Sequence, residues 1–518
     1  TDSGSDTNNE ETTGPQDGGD LITAVNGQPT NFNAYYYSDT ASGDIAGLMF
    51  NGLIKVNKEI APEGDLAKDW EISDDGLTYT FHLRKGVKFH DGKPMTSADV
   101  KFSYNIPRSE DYTGPRASSF SVIKSIETPD DYTVKISLKN KYAPFLLETA
   151  TYPILPKHLL KDVPIKDMEK AEFNTSNPVG TGPYKFVEWK KGQYVKVKAN
   201  ENYFAGRPHI DTITVKAVSD ANSRMAQFQA GQINFMWGET TQAKTINALE
   251  DQGKAKVKRT LGLNYDYIGW NQKNPLFQSK TVRQALTHAI NRKGILKAAV
   301  NGEGKIANTP GSPLQKWSYN PDVPVFAYNP EKAKKMLASE GWKDHNGDGT
   351  IDKNGKEFKF TILSNKGNQR RKTIGEIVQQ NLKKVGIDAQ PKLMEWSAEL
   401  EKINPPNWDY DAVILGWALG ADPDPKQIFS ATEIKKGLNF VWYKPDQKIE
   451  KLMQENSKVT DREKRGEMIK EIQAAIAEDQ PYTFLYYKNN IMVYTPKLHA
   501  QQGIDTSFYH VKDWWIEQ

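Results

Sequence analysis

Beyond residue 358 the apolar residues change period repeatedly, between two and about 3.6. This pattern predicts a strand at Phe358–Leu363, a helix at Thr373–Val385, a strand at Ala389–Met394 and an apolar strand at Tyr410–Gly416. A strand that is apolar on both faces needs cover on both faces, and intervening helices supply it, so the fold class is α/β. The 518 residues exceed what one core usually holds, so at least two lobes are expected.

The part before about residue 270 has a different character. Leu21–Val25 reads as a strand, and "DIAGLMFNGLIKV", Asp44–Val56, has helical spacing at Ile45, Leu48, Met49 and Leu53. Residues 77–89 alternate, with Leu77, Tyr79, Phe81 and Leu83 on one face, and turn at Lys85-Gly86. Thr96 and Asp99 have the spacing of a helix capping box. Tyr184–Ala199 and Ile210–Val218 alternate again, and 281–300 is helical, with Val282, Ala285, Leu286, Ala289 and Ile290 on one face. The helices Asp446–Ser457 and Thr460–Ala477 close the pattern, the second capped by "TDRE".

Several functions are disfavoured at once. With 68 basic against 65 acidic residues the chain lacks the field that grips nucleic acid, and no apolar run spans a bilayer. There is no cysteine, hence no thiolate nucleophile or Cys-ligated metal. The nucleophile-elbow, zinc-protease and phosphate-loop motifs are missing. His82 and His90 lie near one hairpin but lack a ligand pair's spacing, and read as structure. The first twenty residues hold six acids and no base, the composition of a flexible tether. Removal of a secretory signal leaves such a leash, and a cytosolic tail has the same composition.

Two stretches carry candidate chemistry. "DHNGDGTID" offers oxygen donors at Asp344, Asn346, Asp348, Asp352 and the Thr350 carbonyl, like the first nine positions of a calcium loop. The twelfth position is Gly355 rather than Glu, which favours a solvated Asn/Asp/Gly turn over a bound calcium. Any calcium there would be structural. "YDAVILGWALGADPDP", Tyr410–Pro425, ends a strand in Gly416-Trp417 before Asp422 and Asp424. It suits a ligand wall with an ammonium-pairing acid, or a plain strand end with solvated acids.

"LAKDWEISDDGLTYTFHLRKGVKFHDGKPMTSADVKFSY" (66–104) resembles the signature of the large oligopeptide- and dipeptide-binding proteins of bacterial ABC importers. So do "NPVGTGPYKFVEW" (177–189), "VRQALTHAINRKGI" (282–295) and "GWALGADPDP" (416–425), in order along residues 20–515; the pattern is most similar to Gram-positive oligopeptide-binding lipoproteins. The resemblance implies a two-lobed, type II periplasmic-binding-protein-like fold with an inserted domain and a hinge. Residues 1–20 would be the tether, 21–57, 180–270 and 488–518 lobe I, 58–179 the insertion and 271–487 lobe II. Crossovers are expected near Asn264–Asn271 and Tyr486–Asn490.

It further implies a monomeric receptor, not an enzyme, that traps an oligopeptide and delivers it to an ABC permease. The receptor would stand outside the membrane, lipid-anchored through a cysteine just before Thr1. Relatives that carry nickel chelates, haem or oligosaccharides keep a non-peptide ligand open, and a peptide hydrolase is the rival of another class. The implied ligand residues are Asp422, or Asp424, for the peptide ammonium and Gly416, Trp417 and Ala418 for backbone and wall. Gly27, Gln28, Pro29, Thr30 and Asn31 would pair with the ligand backbone, and Tyr486 and Tyr487 stand at the last crossover. No cofactor is implied.

Overall fold

The structure, a computed structural model, describes residues 14–500 and 510–518. Residues 1–13 of the expected tether, and 501–509, lie outside the described residues. Order begins before Leu21, because the Gly18 amide donates to the His209 carbonyl (2.8 Å) and His209 pairs with Asp17 (2.7 Å).

The strands that build the molecule are β1 (Asp20–Val25), β2 (Ala67–Ile72), β3 (Thr78–Leu83), β4 (Ile123–Asp130), β5 (Thr133–Leu138), β6 (Tyr184–Lys190), β7 (Tyr194–Ala199) and β8 (Thr212–Ala217). They continue as β9 (Phe235–Gly238), β10 (Lys256–Leu261), β11 (Asn264–Trp270), β12 (Gly304–Ile306), β13 (Lys359–Asn365), β14 (Asp388–Met394), β15 (Ala412–Ala418) and β16 (Tyr482–Tyr494). Among the helices, α1 is Thr40–Ala46, α2 Ser97–Asn105, α3 Gln369–Lys383, α4 Trp396–Ile403 and α5 Arg462–Asp479. Twelve strands form one sheet, ordered β14-β13-β15-β11-β16-β9-β1-β8-β7-β6, with β10 and β12 also paired to β16. A separate antiparallel sheet runs β2-β3-β5-β4.

Alternation sorts the second half of the large sheet into two covered faces. From β11, Ile268 and Trp270 enter one core with Phe277 and Val378, while Tyr265 and Tyr267 enter another with Phe440 and Tyr443. In β15, Ala412 and Ile414 face the first and Val413 and Leu415 the second. A third core gathers the first half with the small sheet, from Leu21 through Phe81 to Trp514.

β16 ties the halves together. Its Tyr482–Tyr486 part pairs with β11, whereas Ile491–Tyr494 pairs with both β9 and β10. The partner changes around Lys488, whose amide and carbonyl bond the Asn264 side chain and whose carbonyl also accepts the Gly262 amide at 2.9 Å. β10 ends at Leu261 and β11 begins at Asn264, and both pair with β16.

The helix expected from Asp44 stops at Ala46, and Ile54–Val56 is a strand whose Ile54 amide bonds the Ala150 carbonyl at 3.1 Å. The capping box at α2 is present, with Asp99 accepting from the Thr96 amide at 2.9 Å. At α5 the cap is Asp461 rather than Thr460, accepting from the Lys464 amide at 3.0 Å. On the hairpin Tyr79, Phe81 and Leu83 are buried and His82 pairs with Asp69. His90 sits between the Gly180 amide (3.3 Å) and the Gly182 carbonyl (3.0 Å), and burial pushes its pKa down to about 4. The two histidines have separate partners and build the turn.

Candidate functional site

The strand order 14-13-15 means that the chain leaves β13 through α3 to one side and returns through α4 to the other. Such a reversal opens a crevice beyond the carboxyl ends of the parallel strands, where ligands commonly bind in open α/β sheets. Here β13 and β15 pair only at Ile362↔Ala412 and Leu363↔Val413. β15 is paired along its whole length with β11 on its other side, from Asn264↔Ala418 to Trp270↔Ala412. Past Val413, the edge of β15 that faces β13 has no ladder partner among the described residues. Gly416, Trp417 and Ala418 lie on that free edge, with Ala418 exposed.

Gly416 is required by its neighbour, since a Cβ there would stand 2.4 Å from Asp266 Oδ1. Asp266 accepts from Arg370 Nε (2.8 Å) and from the Tyr486 hydroxyl (2.6 Å). Arg370 and Arg371 occupy the first turn of α3, where the helix dipole disfavours cations, and Asp266 offsets that cost for Arg370. Arg371 Nη1 donates to Asn365 Oδ1 at 2.7 Å, and burial followed by Arg370 pushes the nearby Lys488 ammonium pKa down. The crevice floor is therefore rich in cationic groups. Sequence reading passed over Asp266, Arg370 and Arg371, although "NQRRK" straight after a strand was a usable signal.

The loop after β1 presents Gln28 and Thr30 to solvent, with Pro29 buried and Gly27 and Asn31 partly so. It is pinned to α1: the Thr30 hydroxyl donates to Asp39 (2.7 Å), its amide donates to Ser42 Oγ (2.8 Å), and Asp39 caps the helix.

The other residues expected at the ligand have these surroundings. Asp422 is bound at both carboxylate oxygens by Arg465 (2.6 and 2.8 Å), and the two side chains are 1% and 4% exposed. Burial disfavours the Arg465 charge, but the bonds from Asp422 outweigh it and hold its pKa above the ordinary value. Asp422 thus has a buried cationic partner within the protein. Asp424 accepts from Asn456 (3.1 Å) and the Lys426 amide (3.0 Å). Tyr486 and Tyr487 are wholly buried, Tyr486 on Asp266 and Tyr487 donating to the carbonyls of Thr309 and Gly311. Trp417 is less a bare wall than expected, because its ring stacks on Tyr267 and Phe440 and donates to the Tyr482 hydroxyl at 3.2 Å.

The calcium-like loop is folded by its own amides. Asp344 accepts from Gly347 (2.8 Å), Asp348 (3.2 Å) and Gly349 (2.9 Å), and Asp348 from Thr350 (2.9 Å). Asp352 pairs with the His345 ring at 2.8 Å and accepts its amide at 3.1 Å. Among the described residues no three His, Cys, Asp or Glu side chains gather to hold a metal ion.

A cavity of about 780 Å3 runs from α1 past Asn51, Asp65 and Tyr203 to Leu263 and Ala421. Leu263 immediately precedes β11, and its carbonyl accepts the Leu419 amide (2.8 Å) just past the end of β15. The cavity thus reaches the end of β15, and its size suits a ligand pocket.

The profile of the bacterial extracellular solute-binding proteins, family 5 (middle), matches residues 61–439. Oligopeptide-binding protein AppA of Bacillus subtilis is 46% identical over 506 residues, covering 97% of this chain and 92% of that one. Its structure in complex with a nonapeptide superposes with a TM-score of 0.77, covering 98% of this chain and 100% of that one. The ABC transporter substrate-binding protein CtaP of Listeria monocytogenes is 28% identical, with a TM-score of 0.85 over 97% of this chain and 100% of that one. Heme-binding protein A of Haemophilus influenzae is 31% identical over 461 residues, covering 84% and 80% of the two chains.

Proposed function

The chain belongs to the bacterial extracellular solute-binding proteins of family 5, and on that premise we propose that it captures oligopeptides outside the membrane and delivers them to an ABC peptide permease. The observation that carries this reading is the free edge of β15 at Gly416–Ala418. An extended peptide can complete that ladder through its own amides, which gives affinity without demanding a particular sequence. Hydrated space around it would accept varied side chains. A haem compound offers no row of amides for the same edge, which favours a peptide over the ligand named for the Haemophilus relative.

Residues 21–57, 180–270 and 488–518 would act as one lobe, 58–179 as its insertion and 271–487 as the other lobe, with crossovers near Asn264–Asn271 and Tyr486–Asn490. The nonapeptide-bound AppA, 46% identical, superposes less well than the 28% identical CtaP. A change of lobe angle produces that pattern, because it moves whole bodies without rebuilding strands. Ligand would favour the closed arrangement by touching both lobes only there. The binding role involves no bond-making, and a lipid anchor ahead of Thr1 would hold the receptor at the membrane.

Calorimetric titration with a nonapeptide of mixed composition tests the reading. Stoichiometric binding with a negative heat-capacity change supports it. Absence of binding, together with binding of haem or a nickel chelate, would replace it.

A further inference from the structure

Within the cavity beside α1 lies a carboxylate that nothing in the fold uses. Asp44 stands in the last turn of α1, Thr40–Ala46, where the helix dipole disfavours negative charge. It is partly buried and lines the cavity, and among the described residues no hydrogen bond or ion pair reaches it. The neighbouring charges are already engaged. Lys55 pairs with Glu63 (3.7 Å), Lys512 with Asp513 (2.9 Å), and Arg84 donates to the Asp65 carbonyl (2.6 Å). Asp65 is held by Asn51 (3.1 Å) and Asp39 by Thr30 (2.7 Å) and Ser42 (2.8 Å), while His510 borders the same space. Tyr37 and Asp39 also stand within electrostatic range of Asp44.

We propose that Asp44, in place of Asp422, receives a cationic group of the bound peptide, its terminal ammonium or a Lys or Arg side chain. This rests on the peptide-capture reading and names a residue for it. Three features converge on the role. α1 holds the Gly27–Asn31 loop, the cavity runs from Asp44 to Leu263 and Ala421 at the end of β15, and among the described residues the acid lacks a partner until a cation arrives. Burial, helped by Asp39, pushes its pKa up to about 7, so docking a cation at neutral pH expels a proton.

The test uses three nonapeptides on one Lys- and Arg-free sequence: free amino terminus, N-acetylated, and N-acetylated with one Lys. Wild type at pH 8 is expected to bind at least one cationic form about 10- to 100-fold more tightly than the neutral form, as for a charge-assisted bond. Which form gains identifies the source of the cation. Asp44→Asn is expected to bind all three alike. Calorimetry of wild type at pH 7, in buffers of differing protonation enthalpy, is expected to show proton release with the cationic peptide only, and needs no variant. Discrimination retained by Asp44→Asn, or wild-type binding without proton release, overturns the assignment while leaving peptide capture standing. Failure of wild type to bind any of the three overturns both.

Discussion

Replacing Asp422 by Asn should damage stability, not peptide recognition. The substitution keeps the shape but removes the charge that two guanidinium nitrogens of Arg465 hold at 2.6 and 2.8 Å. Arg465, 4% exposed at its side chain, would keep as acceptors only the neutral amide oxygen at position 422 and Asn456 Oδ1 at 3.3 and 3.4 Å. Stranding one charge of a buried pair costs about 3–5 kcal/mol, and cation–π contact with Trp317 at 5.8 Å returns only a small part of it. Urea unfolding should show that loss as a lower midpoint with an unchanged slope, provided that the affected region unfolds in one step. The double variant Asp422→Asn/Arg465→Met should recover part of it, since the guanidinium is then no longer left without its carboxylate partner. In parallel titrations at pH 8, the affinity ratio between free and N-acetylated nonapeptide should match that of wild type. If Asp422→Asn is as stable as wild type and loses that ratio, Asp422 is the ammonium receptor and the pairing with Arg465 is not its role.

Three other outcomes follow from the same structure. Gly416→Ala should push Asp266 away from Arg370 and lower peptide affinity about tenfold or more by titration, because the added Cβ would lie 2.4 Å from the carboxylate; unchanged affinity would remove the crevice from the account. Glu399 is fully buried, neither of its oxygens has a hydrogen-bond partner among the described residues, and burial pushes its pKa from 4.5 to about 7. Its cost to stability is therefore absent below pH 4.5 and complete above about 7, so Glu399→Gln should gain up to about 3 kcal/mol in denaturation at pH 8 and nothing at pH 4. His90 is held neutral by burial, with its pKa lowered from 6.5 to about 4. Stability should fall as pH drops through that window, His90→Gln should flatten the fall in thermal melts, and peptide affinity should stay the same.

What was legible in the sequence followed from local rules. Phe360, Ile362, Val413 and Leu415 alternate between two covered faces, so period and apolarity place their strands within a residue or two. Thr96 and Asp99 form their capping box because both partners lie within one turn. "TDRE" misled because Thr460 and Asp461 can each cap, and only the chain's approach selects Asp461. Ile45, Leu48, Met49 and Leu53 mimic a helix because a short helix, a turn and a strand all bury one side against the same core. The site was harder, because its determinants meet across long stretches of chain. Asp422 finds Arg465 forty-three positions away and Asp266 finds Tyr486 at a separation of 220, and neither pairing leaves a local trace. Asp44 was equally invisible, since its importance lies in having no partner among the described residues, beside a cavity that eight separate stretches of chain line.

Native mass spectrometry of the purified chain mixed with one defined nonapeptide tests the central claim most directly. Peptide capture predicts a one-to-one complex that, on gas-phase dissociation, releases the peptide at its full mass. No complex, or release of shortened fragments, would contradict it.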